Sequence, residues 1–111
     1  MIIKGVEVNV DFTDADIVEK IDVGREKLLE ETQKLKNSDV KPAKGIRQEC
    51  KIIKDFIDYV FGEGTSIKIF GEKNSLNDCL EAFEDIMKAK QEQENSFYEK
   101  VSKYSPDRVE R

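Results

Sequence analysis

The chain carries its most apolar helical face in residues 43–61, which read AKGIRQECKIIKDFIDYVF. Apolar side chains recur there every three or four positions, at Ile46, Cys50, Ile53, Phe56, Ile57, Val60 and Phe61. This spacing places them on one side of an α-helix. Gly62-Glu63-Gly64 follows, and glycine commonly ends a helix. We therefore predict a central core helix over residues 43–61.

A helix is also predicted before this one, over residues 14–36. Its apolar stripe consists of Ile17, Ile21, Leu28 and Leu35, widened by Val18 and Leu29. Thr13 is the expected N-cap. Gly24 interrupts the stripe, which costs about 1 kcal/mol relative to alanine and allows a bend. The polar segment 37–42 contains a proline and separates this helix from the next.

The first twelve residues predict β structure. Apolar residues alternate with polar ones at Val6, Val8, Val10 and Phe12. Residues 2–3 precede Lys4-Gly5, so a short partner strand and a tight turn are expected. The resulting hairpin within residues 1–12 must pack on helices or pair with another copy, because an isolated hairpin is only marginally stable.

Residues 65–70, TSIKIF, fit two structures. Ile67 and Ile69 alternate as in a strand, whereas a single helical turn capped by Thr65 would bury Ile67 and Phe70. We favour the short helix.

A third long helix is predicted from Asn74-Ser75, with Asp78 placed three residues after Ser75 as in a capping box. Its buried stripe comprises Leu76, Cys79, Leu80, Phe83, Ile86 and Met87. Within residues 88–96 only Ala89 is apolar, so the helix is expected to project from the core there or to meet only solvent.

An apolar stripe returns at the end of this helix, at Phe97, Tyr98, Val101 and Tyr104. Such a stripe needs a covering surface, which is either a partner chain or the same domain if the helix folds back. Our hypothesis is that these four residues form a protein-binding surface. Ser105-Pro106 is expected to end the helix, and residues 105–111 to form a flexible tail.

Together these elements predict one domain over residues 1–104. It is mainly α with a small N-terminal β-hairpin, an α+β arrangement. The three long helices form a bundle-like core, from which the C-terminal helix projects. The length of 111 residues agrees with a single domain.

Composition restricts the function. The chain has 19 Lys and Arg residues against 24 Asp and Glu, and this net charge of −5 disfavours nucleic-acid binding. It has no histidine, which excludes H-E-x-x-H zinc proteases, His-assisted hydrolases and His-ligated haem. No segment approaches the ~20 apolar residues that cross a membrane. Cys50 and Cys79 lie among apolar residues and no secretory leader precedes them, so we expect reduced core thiols and a cytoplasmic location.

The glycines and the acidic clusters predict no ligand site. Gly62, Gly64 and Gly71 do not have the spacing of a phosphate-binding loop, so turns and caps explain them. The acids within residues 11–16 lack the rest of an EF-hand. The helix carboxylates within 55–58 and 81–85 have no convergent third group and are expected to be solvated. We therefore expect no enzyme activity, no cofactor and no metal.

Three segments carry a family resemblance. They are Gly5-Val6-Glu7-Val8 with Asp11-Phe12-Thr13-Asp14-Ala15-Asp16, Phe61-Gly62-Glu63-Gly64-Thr65 with Phe70-Gly71, and Tyr104-Ser105-Pro106-Asp107-Arg108. In this order, the chain resembles small uncharacterised phage proteins of Gram-positive bacteria and their prophages. Those proteins are usually encoded between the major tail protein and the tape measure protein, where tail assembly chaperones lie. Relatives often end in Tyr-Ser-Pro-Asn-Arg and a more basic tail, from which Asp107 and residues 109–111 depart.

The resemblance implies a non-enzymatic role in assembling the virion tail within the bacterial host cell. The expected partners are the tape measure protein, the tail tube protein and a second copy of the chain, with no nucleic acid and no membrane. The alternative function is a small acidic phage-encoded inhibitor of a host enzyme, an anti-defence protein.

Overall fold

The computed structural model describes residues 1–104 and shows a mainly helical protein with a small N-terminal hairpin, as predicted. The predicted flexible tail, residues 105–111, lies outside the described residues. The elements are β1 (Ile2–Ile3), β2 (Val6–Glu7), α1 (Ala15–Lys36), α2 (Pro42–Phe61), α3 (Thr65–Phe70) and α4 (Leu76–Lys103). Each predicted long helix is present within a residue or two of its expected bounds.

The hairpin is shorter than the segment that predicted it. The two strands pair antiparallel, with Ile3 opposite Val6, and the turn places Lys4 and Gly5 at positive φ angles of 50° and 84°. The second strand ends at Glu7, although Val8 still donates its backbone N–H to the carbonyl of Met1 at 2.7 Å, and the alternation beyond it continues to direct side chains inward. Phe12 is 1% exposed and meets the ring of Phe61 edge to face at 6.5 Å. The N-terminal segment therefore belongs to the core.

The core is built around α2, as its apolar face predicts. This helix packs against α1 on one side and α4 on another, whereas α1 and α4 make little contact with each other. Phe56 links the layers, with its ring 5.4 Å from that of Phe83. The buried apolar residues are Ile3, Val8, Phe12, Ile21, Cys50, Ile53, Phe56, Ile57, Val60, Cys79, Ala82 and Ile86. Each large side chain removed from water contributes about 1.5–3 kcal/mol.

Three residues predicted in the buried stripes are exposed. Ile46 is 40% exposed, Leu29 61% and Leu80 45%. Because α1 and α4 barely meet, the helices cover only one side of one another, and residues at the edges of the stripes remain in contact with solvent. Ile46 and Leu80 line one shallow cavity of about 440 Å³ at the start of α2 and α4.

The N-cap of α1 is Asp14, so the prediction of Thr13 was wrong. The Asp14 carboxylate accepts from the backbone N–H groups of Asp16 and Ile17 at 2.9 and 3.3 Å. Thr13 instead donates from both its backbone N–H and its hydroxyl to Asp11, which lowers the pKa of that carboxyl. Helix α1 continues through Gly24 without interruption. An aspartate satisfies two free N–H groups and complements the helix dipole, so it competes well for this position.

Helix α3 confirms the short helix predicted for residues 65–70, with two corrections. Its N-cap is Gly64 at φ 92°, not Thr65, and Ile67 is 59% exposed. A polar contact attaches α3 to α2 beside the apolar one: Asp58 of α2 accepts from the backbone N–H and hydroxyl of Ser66 at 2.8 and 2.9 Å. Phe70 is partly buried, as expected.

Candidate protein-binding surface

The four residues predicted to bind a protein lie together at the end of α4. We call them the α4 stripe: Phe97, Tyr98, Val101 and Tyr104. Their side chains are 46%, 65%, 49% and 86% exposed, respectively. The rings of Phe97 and Tyr98 contact each other, with centroids 5.6 Å apart. Of the two arrangements left open by the sequence, the projecting helix is the one observed.

The α4 stripe continues the core-facing side of the same helix. Three pairs of residues, each 18 positions apart, relate the two sets: Cys79 with Phe97, Phe83 with Val101, and Ile86 with Tyr104. Eighteen residues make five turns at 3.6 residues per turn, so each pair lies on one side of the helix. Cys79 and Ile86 are fully buried. The face that packs on α2 therefore extends beyond the body of the domain, where nothing in residues 1–104 covers it.

The polar segment before the stripe is partly attached to the body, which the sequence did not predict. Gln93 accepts from the backbone N–H of Phe12 at 2.8 Å and donates to the carbonyl of Val10 at 3.2 Å. Lys90 and Glu94 form an ion pair one turn apart, and Ala89 packs against the core. The exposed part of α4 therefore begins at residue 95 rather than at 88, and Gln93 fixes its base.

Basic residues occupy the last turn of α4. Lys100 and Lys103 lie near the helix C-terminus, where positive charge is favourable to the helix dipole. Lys100 follows Phe97 by three positions, so it borders the α4 stripe. An apolar stripe beside a lysine suits a partner surface that is apolar with an acidic rim.

Two of the helix carboxylates within residues 55–58 and 81–85, Asp55 and Glu81, form ion pairs with lysines. Asp55 accepts from Lys51 at 2.8 Å, and this hydrogen bond raises the pKa of Lys51. Lys4 in the hairpin turn bonds Glu81 at 3.1 Å, a contact that raises the pKa of the lysine. Within residues 1–104 no group of three or more Cys, Asp or Glu side chains is placed to hold a metal ion.

The two cysteines are free, fully buried and adjacent, one from α2 and one from α4. Burial, followed by the hydrogen bond with Cys50, raises the pKa of the Cys79 thiol to about 12. This confirms the expectation that both are core residues. A thiol with such a pKa is a poor nucleophile, because the thiolate is the reactive form.

A second surface, between α1 and α2, was missed by the sequence analysis. We call it the α1–α2 groove, a cavity of about 290 Å³ lined mainly by Val23, Gly24, Leu28, Ile52, Phe56 and Tyr59. Val23 and Tyr59 are each 48% exposed, and Lys27, Glu31 and Asp55 form the rim. Val23 and Tyr59 are isolated apolar residues outside the helical stripes, so no periodic signal marked them.

The fold and these surfaces define a small helical protein with an N-terminal hairpin, an exposed aromatic helix end and an apolar groove. The chain belongs to a family of unknown function, DUF6673, whose model matches residues 4–111. Comparison with curated proteins gave no match, and comparison with solved structures gave none either. No helix in residues 1–104 has the length and apolar character needed to cross a bilayer.

Proposed function

We propose that this chain is a non-enzymatic phage or prophage protein that acts like a tail assembly chaperone in the cytoplasm of the bacterial host. Its partners are the tape measure protein and the tail tube protein. The sequence resemblance described above supplies the biological class. The observation that carries the proposal is the α4 stripe, four apolar side chains exposed over about two turns at the end of a projecting helix.

The proposed function depends on contact with partner proteins and not on catalysis. Aromatic side chains dominate the energetics of protein interfaces, and truncating a central one costs about 2 kcal/mol or more. The stripe presents its residues at helical spacing, the arrangement by which amphipathic helices pair with apolar surfaces of partner proteins. The resemblance implies that a chaperone of this kind coats the long tape measure protein before the tail assembles. The α4 stripe would contact apolar helical surfaces of that protein.

The experiment is co-expression of the full chain with a tagged tape measure fragment, or with the tail tube protein, followed by pull-down. We expect capture of the wild-type chain and loss of at least tenfold of it for the double variant Phe97→Ala/Val101→Ala. The matched control is Ile2→Ala/Leu29→Ala, which removes two apolar side chains that are 64% and 61% exposed elsewhere. Capture of the stripe variant at the control level would exclude this surface.

Gene order supplies an independent check. A position directly before a tape measure gene favours the chaperone, whereas a position among host-takeover genes favours the alternative, an inhibitor of a host enzyme. Absence of capture by both tail proteins, with the wild-type chain folded, would refute the chaperone proposal.

A further inference from the structure

Two of the apolar surfaces that residues 1–104 leave uncovered differ in shape. The α4 stripe is convex, because it lies on a single helix that extends from the body. The α1–α2 groove is concave, because Gly24 lets α1 approach α2 closely: a Cβ atom at that position would lie 3.0 Å from Cδ1 of Phe56. A helix laid into an apolar groove is a common mode of protein recognition.

The two surfaces cannot meet within one chain. Helix α4 runs without interruption from Leu76 to Lys103, which makes it about 42 Å long at 1.5 Å per residue. Gln93 attaches it to the N-terminal segment about one turn before the first stripe residue, Phe97. The stripe would have to break the helix to reach α1 and α2 of its own chain. A second chain has no such restriction.

One pair of opposite charges lies at the edges of the two surfaces. Glu31 lies on the rim of the groove together with Lys27 and Asp55, the last of which is paired with Lys51, and Lys100 borders the stripe. Neither Glu31 nor Lys100 forms a salt bridge with another of the described residues 1–104. Opposite charges at the rim of an interface direct the orientation of the two partners and increase the rate of association.

We propose that the α1–α2 groove binds the α4 stripe of a second copy of this chain. Two copies related by a two-fold axis make this contact twice, since each offers one groove and one stripe, and the interface is self-complementary. This dimer needs only the chain itself and does not depend on the tail-assembly function. If that function holds, a tail protein competes with the second copy for the stripe.

The first test is the oligomeric state of the purified full-length chain, measured by sedimentation equilibrium over a range of concentrations. We expect a reversible dimer. Val23→Asp in the groove should weaken dimerisation by at least tenfold, and Phe97→Ala/Val101→Ala should do the same. The control is Leu29→Asp, which places the same charge on a more exposed residue of α1 outside the groove and should leave the dimer intact. Circular dichroism establishes that each variant is folded.

The second test addresses the rim charges. Lys100→Glu and Glu31→Lys should each weaken dimerisation about fivefold, and the double variant should restore the wild-type dissociation constant to within about twofold. A wild-type chain that stays monomeric at every concentration would overturn the proposal. So would a dimer that Val23→Asp leaves unchanged. Neither result affects the capture of tail proteins, so the two proposals fail separately.

Discussion

Two helical glycines should respond in opposite directions to the same substitution. Gly24 in α1 and Gly45 in α2 both gain about 0.5–1 kcal/mol of helix stability on replacement by alanine, because the unfolded chain loses conformational freedom. At Gly45 the new Cβ atom would lie 3.4 Å from Val40, an ordinary contact. Gly45→Ala should therefore stabilise the protein by that amount.

Gly24→Ala should destabilise it. The new Cβ atom would lie 3.0 and 3.1 Å from two ring atoms of Phe56 and 3.3 Å from Tyr59. Phe56 is 3% exposed and rests against Phe83, so it cannot move aside without disturbing the core. Overpacking of this kind costs about 1–3 kcal/mol, which exceeds the helical gain and leaves a net loss of about 1 kcal/mol.

Urea unfolding followed by circular dichroism measures both variants. The expected difference between them is about 2 kcal/mol, or roughly 8–16 °C in melting temperature for a domain of this size. Replacing Phe56 by leucine makes room, so Gly24→Ala should lose most of its cost in the Phe56→Leu background. Equal stabilisation by Gly24→Ala and Gly45→Ala would refute the close approach of α1 and α2.

Three further predictions test other contacts. Gln93→Ala removes both hydrogen bonds to the N-terminal segment and leaves the part-buried N–H group of Phe12 unpaired, which should lower the free energy of unfolding in urea by about 2–3 kcal/mol. Gln91→Ala, on the exposed side of the same helix, should lower it by under about 0.5 kcal/mol. Equal losses for the two variants would contradict the role of Gln93 in attaching α4. The hydrogen bond from Lys73 lowers the pKa of Asp78 from its ordinary value. Asp78 therefore contributes stability above about pH 4 that is lost as pH falls through its folded pKa, and Asp78→Asn should flatten the acid limb of a stability–pH curve. At pH 8, Ellman's reagent should label Cys79 only as fast as the protein unfolds, since burial raises the pKa of that thiol to about 12, and immediate labelling would disprove its burial.

Periodicity predicted the helices because burial of one side of a helix leaves a direct trace in the sequence. Ile53, Phe56 and Ile57 recur at helical spacing and are all buried. The same rule failed at Ile46 and Leu80, since spacing identifies a face but not how far neighbouring helices cover it. That coverage depends on how closely α1 approaches α4, which no local pattern records.

The candidate surfaces also differ in how much of them the sequence could predict. The α4 stripe was predicted because its apolar residues follow a polar segment, and the structure leaves them exposed. Gln93 was missed because a glutamine among polar residues carries no periodic signal, although its side chain joins two segments far apart in sequence. The α1–α2 groove depends on Gly24. From the sequence this glycine predicted only a weak point in the helix, whereas in the structure it allows α1 and α2 to approach closely.

The length of the polar segment of α4 determines which way the α4 stripe faces about the helix axis, as well as how far it lies from the body of the domain. Each residue turns a helix by about 100°, so inserting one residue between Gln93 and Phe97 would rotate the whole stripe by that angle about the helix axis. Seven inserted residues would return it to within about 20° of its original direction, roughly 10 Å farther out. The register between the core face and the stripe is therefore a constraint on the length of this segment, independent of the side chains within it.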